Sequence, residues 1–336
     1  MTGKATRRGA VDSLGRLSHH PGMDRRRFLL TSVAADFAAA LPAGAQLAGK
    51  VHKVGLLTSA SDPYSLSTRV PAQLGLLDWR ENHNVRFRFA AAGGTEERLD
   101  ELAKQLVAEG DVMVASGTAA VRAARGASRR IPIVSVFEEG PVQTGIAVFG
   151  PELAGKRVEV IRDLVPRLSH LAVLRNPTVA GGEANWRAVQ AAAAALGVGL
   201  LSLEARGHAD LQPAFATARR RLVGAILVLT SDSRMAAHAG TIAALAAEAG
   251  LPALYPDRYW TVPGQGGLAS YGEDYLDISQ GIARYVDRIL KGAVLGSLPV
   301  ERPTKFELVI NLKTAKALGL TIPPALLARA DQVIDP

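Results

Sequence analysis

The sequence predicts an α/β protein with two doubly wound lobes, each built on a mainly parallel sheet. Three observations predict it: apolar strand-like runs alternate with helical stretches, the alternation occurs in two series after residue 50, and the strands are apolar on both faces. Strands that alternate with helices of about ten to fifteen residues form βαβ units. Strands covered by helices on both sides have no polar face. The length of 336 residues allows about two domains.

The first series runs from residue 51 to residue 137. Its best helix carries Leu99, Leu102 and Leu106 on one stripe, as an amphipathic helix does. The predicted strands are Val51–Thr58, Val85–Ala91, Asp111–Ser116 and Ile131–Phe137, and the predicted helices are Thr95–Glu109 and Ala119–Ala127.

The second series begins with a helix and ends with a strand and a short helix. Within Tyr275–Leu290, Ile278, Ile282 and Val286 share one face. The predicted strands are His170–Asn176, Val198–Ala205, Gly224–Ser231, Leu251–Tyr255, Gly267–Ser270 and Lys305–Asn311, and the predicted helices are Leu153–Val165, Glu183–Leu196, His208–Leu222, Met235–Ala249, Tyr275–Leu290 and Leu312–Leu318.

These two series predict the domain organisation. One lobe comprises residues 46–147 with about 273–300, and the other comprises residues 148–272. Residues 301–336 are expected to form a C-terminal strand–helix segment that packs at the lobes.

Residues 1–45 read as a leader that directs export. Arg25–Leu29 resembles a twin-arginine signal, with Sec export as the alternative, and the apolar run Phe28–Leu41 is too short and polar to span a bilayer. Small residues at Ala43–Ala45 predict cleavage before Gln46, and Met23 is the expected start. A disordered basic tail is the other interpretation. The leader hypothesis predicts a periplasmic protein.

The amino-acid composition excludes several kinds of functional site. The chain has no cysteine, which excludes disulfides, a thiol nucleophile, a cysteine-based zinc site and a lipid anchor on cysteine. Its formal charge of +8 falls to +4 without the first 45 residues. The basic residues that remain form short clusters at expected helix ends, a pattern that favours a solvated face over nucleic-acid binding.

Small polar residues end several strands, where ligands of doubly wound sheets bind. Ser116-Gly117-Thr118 ends one strand and opens a helix, so free backbone N–H groups and the positive helix end can hold a carboxylate. Ordinary N-capping is the alternative for these residues. The other strand-end residues of interest are Thr58, Ser59, Asn176 and Asp232.

Two further interpretations concern charge and aromatic rings. Asp232 can pair with a ligand amine or cap the helix near Met235. Tyr271, Tyr255 and Trp260 can stack on a flat ligand or pack at the lobe junction.

Sequence motifs of enzymes are absent from the chain. It contains no G-x-G-x-x-G after a strand, no phosphate-binding G-x-x-x-x-G-K-[ST] loop and no G-x-S-x-G elbow. The seven histidines show no H-E-x-x-H and no other metal-ligand spacing. We therefore expect neither catalysis nor a cofactor or metal.

Several segments in chain order carry a resemblance to a known family. They are Val54–Leu57, Pro151–Arg157, Leu171–Pro177, Ile226–Leu229, Gly266–Gly272, Tyr285–Gly292, Pro303–Asn311 and Lys313–Gly319. Together they span nearly all of residues 51–336, and the chain resembles the ABC-transporter substrate-binding family that includes tryptophan- and other amino-acid-binding lipoproteins.

The resemblance implies a type I periplasmic-binding fold, in which two Rossmann-like lobes joined by crossing strands close by a hinge around a small molecule. It also implies docking on a membrane ABC permease. A monomer is expected, with no nucleic-acid partner. By match to the family pattern, the residues at cleft positions are Thr58, Ser59, Ser116, Gly117, Thr118, Asn176, Asp232 and Tyr271.

One departure from the family pattern lies after Phe137. The family continues with an Asp-Pro-Val turn, a helix and a Pro-Gly-Gly turn before its next strand, whereas here Phe137–Val142 runs almost directly into Gln143–Gly145. A βα element of about 11 residues or more is missing. The interpretations for the pocket of the first lobe are that it is wider, reshaped or non-functional.

The sequence favours a receptor for an amino acid or related carboxylate over three other classes. A ligand sensor for a membrane signalling protein would share the fold, and gene neighbours would distinguish it. A cytoplasmic regulator would need a DNA-binding helix-turn-helix before residue 51, where a signal stands instead. An enzyme lacks support from any motif.

Overall fold

The alternating apolar runs form two sheets with helices on both faces. The computed structural model describes residues 50–59, 66–137, 144–148, 150–179, 182–229, 233–294 and 297–335. Within these ranges the strands are β1 (His52–Thr58), β2 (Val85–Ala91), β3 (Val112–Ser116), β4 (Ile133–Phe137), β5 (Gly145–Ala147), β6 (His170–Arg175), β7 (Gly199–Glu204), β8 (Ala225–Val228), β9 (Ala253–Tyr255), β10 (Ala269–Glu273), β11 (Val300–Glu301), β12 (Phe306–Asn311) and β13 (Gln332–Ile334).

Helices connect most of these strands. The α-helices are α1 (Leu66–Gly75), α2 (Leu99–Glu109), α3 (Thr118–Ala127), α4 (Pro151–Leu164), α5 (Gly182–Ala195), α6 (Leu211–Arg220), α7 (Ser233–Ala236), α8 (Ala239–Glu248), α9 (Tyr275–Leu290), α10 (Leu312–Ala317) and α11 (Pro324–Leu327). Short 3-10 turns occupy Glu96–Arg98, His208–Asp210 and Arg258–Trp260.

The first sheet has the strand order β11-β5-β4-β3-β1-β2, and all its pairs are parallel. Successive residues of β1 pack on opposite sides of it. Val54 and Leu56 join a core shared with α1 and α9, whereas Leu57 joins a core shared with α2 and α3. Burial on both faces explains why this strand reads as an uninterrupted apolar run.

The second sheet has the strand order β13-β12-β10-β9-β8-β6-β7. Only the β10–β12 pair is antiparallel among its described pairs. Helices α4 and α5 cover one face, and α6 and α8 cover the other. The predicted fold class, two doubly wound α/β lobes, is confirmed by this arrangement.

Sheet membership refines what each part of the chain contributes. The C-terminal segment, expected to pack at the lobes, supplies β12 and β13 to the second sheet, while β11 pairs with β5 in the first sheet. The chain therefore passes between the sheets after β5, after β10 and after β11. The predicted boundaries of the lobes stay a prediction, because residues 50–336 form one compact unit.

Several helices and strands of the structure are not predicted from the sequence. They are α1, β5, β11, α11 and β13. Pro71 lies inside α1. An internal proline removes a hydrogen bond and its ring clashes with the carbonyl four residues earlier. The helix is retained because Val70 and Leu74 are buried in the core shared with α9.

The segment after Phe137 is short, and its deletion relative to the family stays a prediction. Strand β4 ends at Phe137 and its parallel neighbour β5 begins at Gly145, so only residues 138–144 connect them. Parallel neighbours are normally joined by a crossover of about a dozen residues or more. Residues 138–143 lie outside the described ranges, and β5 has only three residues.

Candidate functional site

Five of the predicted site residues meet at the carboxyl ends of β1 and β3. These strands are parallel neighbours, and Thr58 is paired in register with Ser116. The Ser59 N–H donates to the Ser116 carbonyl at 3.3 Å. We call the group Thr58, Ser59, Ser116, Gly117 and Thr118 the strand-end cradle.

Gly117 lets the two strand ends approach each other. Its φ of +92° is in the region that favours glycine, and its N–H donates to the Val136 carbonyl at 2.9 Å. A Cβ at this position would overlap the Oγ of Ser59. A larger residue would therefore displace either the start of α3 or the end of β1.

The start of α3 carries the positive end of a helix. Gly117 is the N-cap residue and makes no side-chain cap hydrogen bond, and the first turn contains no acidic residue. The first N–H groups of a helix have no intrahelical carbonyl partner. Ser116 and Thr118 are half-buried, so solvent reaches this end. A carboxylate is the kind of group that such an end binds.

Asn176 lies just beyond β6 in the second sheet and is buried. Its Oδ1 accepts hydrogen bonds from the Thr178 N–H at 3.0 Å and from the Thr178 hydroxyl at 2.8 Å. This oxygen therefore already stabilises a local turn, as asparagine commonly does. Asp232, the other predicted polar residue of this lobe, lies outside the described residues.

Tyr271 lies in β10 and is half-buried. Its ring stacks on Phe306 with centroids 6.4 Å apart and an interplanar angle of 25°. Its carbonyl accepts from the Arg157 Nε at 2.8 Å, and the same guanidinium donates from Nη2 to the Pro256 carbonyl at 2.8 Å. Arg157, which is buried, thus joins α4 to β10 and to the end of β9.

Tyr255 and Trp260 pack in the core of the second lobe. Their rings stack with centroids 5.3 Å apart, and both side chains are almost fully buried. Burial raises the pKa of the Tyr255 hydroxyl well above its usual range. The alternative that these rings stack on a ligand is therefore not favoured, whereas Tyr271 keeps an accessible edge.

The structure adds two buried polar residues that sequence patterns do not single out. Asn185 of α5 is 7% exposed, and its Oδ1 has no hydrogen-bond partner in the described part of the chain. This oxygen lies 2.9 Å from the place a Cβ on Gly150 would take, next to the link between β5 and α4. The only feature of the sequence that could have indicated Asn185 is that asparagine has a low helix propensity and yet lies inside a predicted helix.

The second is Glu307, in β12. Its Oε2 pairs with Arg258 Nη1 at 3.2 Å, whereas its Oε1 is buried without a partner among the described residues. Burial raises the pKa of the Glu307 carboxyl to about 7 against the opposing charge of Arg258, and Asp274 and neighbouring aspartates add to the rise.

The links between the sheets are tied to one another. The Asp274 N–H, at the start of α9, donates to the Lys305 carbonyl at 2.9 Å. The Thr304 N–H donates to Asp277 Oδ2 at 2.9 Å. Arg302 pairs with Glu152 of α4 at 3.1 Å. These contacts join the link after β11 both to α9 and to the second lobe.

No helix in the described ranges is both long and apolar enough to cross a membrane.

Comparison with known proteins shows where the fold recurs. A conserved domain protein from Vibrio cholerae superimposes with a TM-score of 0.76 and 27% identity, covering 84% of this chain and 100% of the other. The ABC domain from Streptococcus pneumonia, solved in complex with L-Trp, gives 0.76 and 22% identity, covering 85% and 100%. The tyrosine-binding protein of Clostridioides difficile is 21% identical over 257 residues, covering 72% of this chain and 73% of the relative.

A match to a family model shows the protein family to which the chain belongs. The model described as ABC transporter substrate binding protein matches residues 70–334, which confirms the resemblance predicted from the sequence. Members of this family are solute-binding proteins that work with ABC permeases, and they are not enzymes. The chain belongs to the ABC transporter substrate-binding protein family.

Proposed function

We propose that this protein is the exported receptor of an ABC importer and that it binds an amino acid or related carboxylate between its two lobes. The observation that carries the proposal is the strand-end cradle. Two neighbouring strand ends and a helix start whose N-cap residue is glycine converge there, at the edge of the sheet where this fold class binds ligands.

The cradle fits the anionic end of the ligand. Its side chains are hydroxyls and its glycine exposes backbone, so N–H groups and the helix end supply the attraction without a charged side chain. We assign the ligand's cationic group to Asp232 and a flat or apolar portion to Tyr271. We also assign Asn176 to the ligand site, because it lies at the end of β6.

Aromatic amino acids are the first ligands to test. One relative is named a tyrosine-binding protein and one structural neighbour holds L-Trp. We expect the departure from the family pattern after Phe137 to change which side chain is preferred, relative to relatives that keep the full-length segment.

Calorimetry on the protein with a panel of amino acids, tryptamine, tyramine and indole-3-propionate tests the proposal. We expect micromolar binding of at least one amino acid, about −8 kcal/mol. The amine analogues lack the carboxylate and should bind at least about tenfold more weakly, since a charge-assisted hydrogen bond contributes about 1.5–3 kcal/mol. Absence of binding to any amino acid or small carboxylate would refute the ligand class.

Variants locate the ligand's anionic end. Ser116→Ala combined with Thr118→Val should weaken binding of the amino acid about tenfold, because two hydroxyl donors are lost while the backbone donors remain. The exposed Ser202→Ala on β7 is the matched control and should bind as the parent does. If the double variant binds the amino acid as tightly as the parent does, the strand-end cradle is not part of the ligand site.

Export is tested separately. We propose that residues 1–45 are cleaved, so mass spectrometry of periplasmic protein should find Gln46 at the N-terminus. Arg25→Lys combined with Arg26→Lys should block export by the twin-arginine route and leave Sec export unaffected. A cytoplasmic protein with an intact leader would contradict the proposal.

A further inference from the structure

Two histidines from separate connections lie against each other in the second lobe. His208 opens the 3-10 turn before α6, and His238 is the residue that precedes α8. Their ring centroids are 4.8 Å apart and their planes are inclined by 49°. Helices α6 and α8 share one core on the same face of the sheet, so both histidines stand at the starts of elements that pack together.

The separation of the rings matches two imidazoles on one metal ion. Metal–nitrogen bonds of about 2.0–2.1 Å and a tetrahedral angle place the two ring centroids roughly 5 Å apart. His208 is exposed and His238 is half-buried, so an ion reaches the pair from solvent. The alternative is that the two rings simply pack against each other without a metal ion. A metal titration distinguishes these two interpretations.

The donor atoms decide which ions the pair can bind. Imidazole nitrogen prefers zinc, copper and nickel over magnesium or calcium.

We propose that His208 and His238 bind a divalent transition-metal ion such as Zn²⁺, Ni²⁺ or Cu²⁺, with solvent completing the coordination. No cluster of three or more metal-ligating side chains occurs in the part of the chain that the structure describes, so two protein ligands are assigned. The pair follows β7 and β8 of the second sheet, whereas the strand-end cradle belongs to the first. Asp232, to which the cationic group of the proposed ligand is assigned, also follows β8, so Zn²⁺ binding is measured with no amino acid present.

The test is a titration of the full chain with Zn²⁺ after removal of bound metal by a chelator. His19 and His20 are adjacent in the sequence, so the reference protein carries alanine at both positions. We expect one ion per chain in calorimetry and a two-nitrogen signature for Cu²⁺ in electron paramagnetic resonance. His208→Ala and His238→Ala should each weaken Zn²⁺ binding about tenfold or more, because the second ligand binds at high effective concentration.

His83→Ala is the matched control, since His83 is an exposed histidine in the first lobe, and it should bind Zn²⁺ as the reference does. Zn²⁺ should also raise the unfolding temperature of the reference and leave that of the His208→Ala/His238→Ala double variant unchanged. Circular dichroism establishes that the variants fold. Equal Zn²⁺ affinity in the double variant, or no binding by the reference at millimolar Zn²⁺, would overturn the proposal.

Discussion

Gly117 is the residue on which the geometry of the strand-end cradle most directly depends. It adopts a positive φ, it is the N-cap of α3, and the Ser59 hydroxyl occupies the place of its absent side chain. The same residue therefore sets the distance between two strand ends and exposes backbone to a ligand. A residue with a Cβ serves neither purpose there.

Gly117→Ala should destabilise the protein by about 1–3 kcal/mol, because it adds backbone strain to the overlap with Ser59. Ligand affinity should fall as well. Adding Ser59→Ala should recover part of the stability, since the overlapping oxygen is gone while the strain remains. Chemical denaturation measures these differences.

Gly126→Ala in the same helix is the control. Nothing lies within 4 Å of a Cβ at that position, so the change should stabilise the protein by up to about 1 kcal/mol. Equal effects of the two substitutions would show that Gly117 has no special role.

Glu307 makes stability depend on pH. The pKa of its carboxyl is raised from 4.5 to about 7, mainly by burial, so between these values the folded protein binds a proton that the unfolded chain has released. The stability it contributes is present below pH 4.5, declines as pH rises to about 7, and is absent above.

Glu307→Gln should remove this pH dependence, because glutamine does not titrate. Between pH 5 and pH 8 the stability of the parent should fall relative to the variant by about 2–3 kcal/mol, given about 1.4 kcal/mol for each pKa unit. Denaturation at several pH values measures the difference. The exposed Glu248→Gln should keep the parent's profile, and parallel profiles for parent and Glu307→Gln would contradict the assignment.

At the scale of elements, the β4–β5 connection is the most unusual part of the first lobe. Gly145 begins β5 with a φ of +146°, and a Cβ there would overlap the carbonyl oxygen of Ser135 in β4. The short parallel connection thus depends on direct backbone contact between neighbouring strands. The predicted loss of a βα element at this point is compatible with the observed sheet order.

Gly145→Ala should cost about 2–4 kcal/mol, as expected where backbone strain and overlap with a neighbouring strand combine. Thermal unfolding measures the loss. Gly155→Ala, within α4, meets only ordinary contacts at 3.8 and 3.9 Å and should be neutral or stabilising. A Gly145→Ala variant as stable as the Gly155→Ala control would show that the close backbone contact is absent.

At the scale of the whole molecule, three links connect the two sheets. Asp277 accepts from the link after β11, and Arg302 of the same link pairs with α4. A ligand that contacts both lobes favours the closed arrangement by its differential affinity for that state.

The amino acid that binds in calorimetry should reduce the radius of gyration measured by small-angle X-ray scattering. At a concentration of about 100 times Kd it should also stabilise the folded protein by about 2.7 kcal/mol, a rise of several degrees in Tm. Ser116→Ala/Thr118→Val should show both effects only at higher ligand concentration. Ligand binding without compaction would contradict closure.

Much of the fold could be predicted because hydrophobic period and strand length are local properties. Val85–Ala91 and Tyr275–Leu290 are observed with the predicted bounds. The elements that were missed are short, or depend on distant partners. Strand β11 exists because it pairs with β5, and α1 persists despite Pro71 because α9 covers it.

The candidate site was predicted in part for the same reason. Thr58 and Ser116 follow apolar strands, so chain order alone places them at one edge of a parallel sheet. The roles of other residues depend on packing that no local pattern encodes. Asn176 serves a turn, Tyr255 is enclosed in a core, and Glu307 is buried beside aspartates from other segments.

By itself the sequence determined the fold class and the family, and it placed small polar residues at strand ends, because the alternation of apolar runs and the strand-terminal polar residues are encoded along the chain. Only the tertiary structure decided that Gly117 meets Ser59, that Glu307 is buried, and that His208 touches His238. Each of these depends on distances between residues far apart in sequence, which are set by how helices and sheets pack.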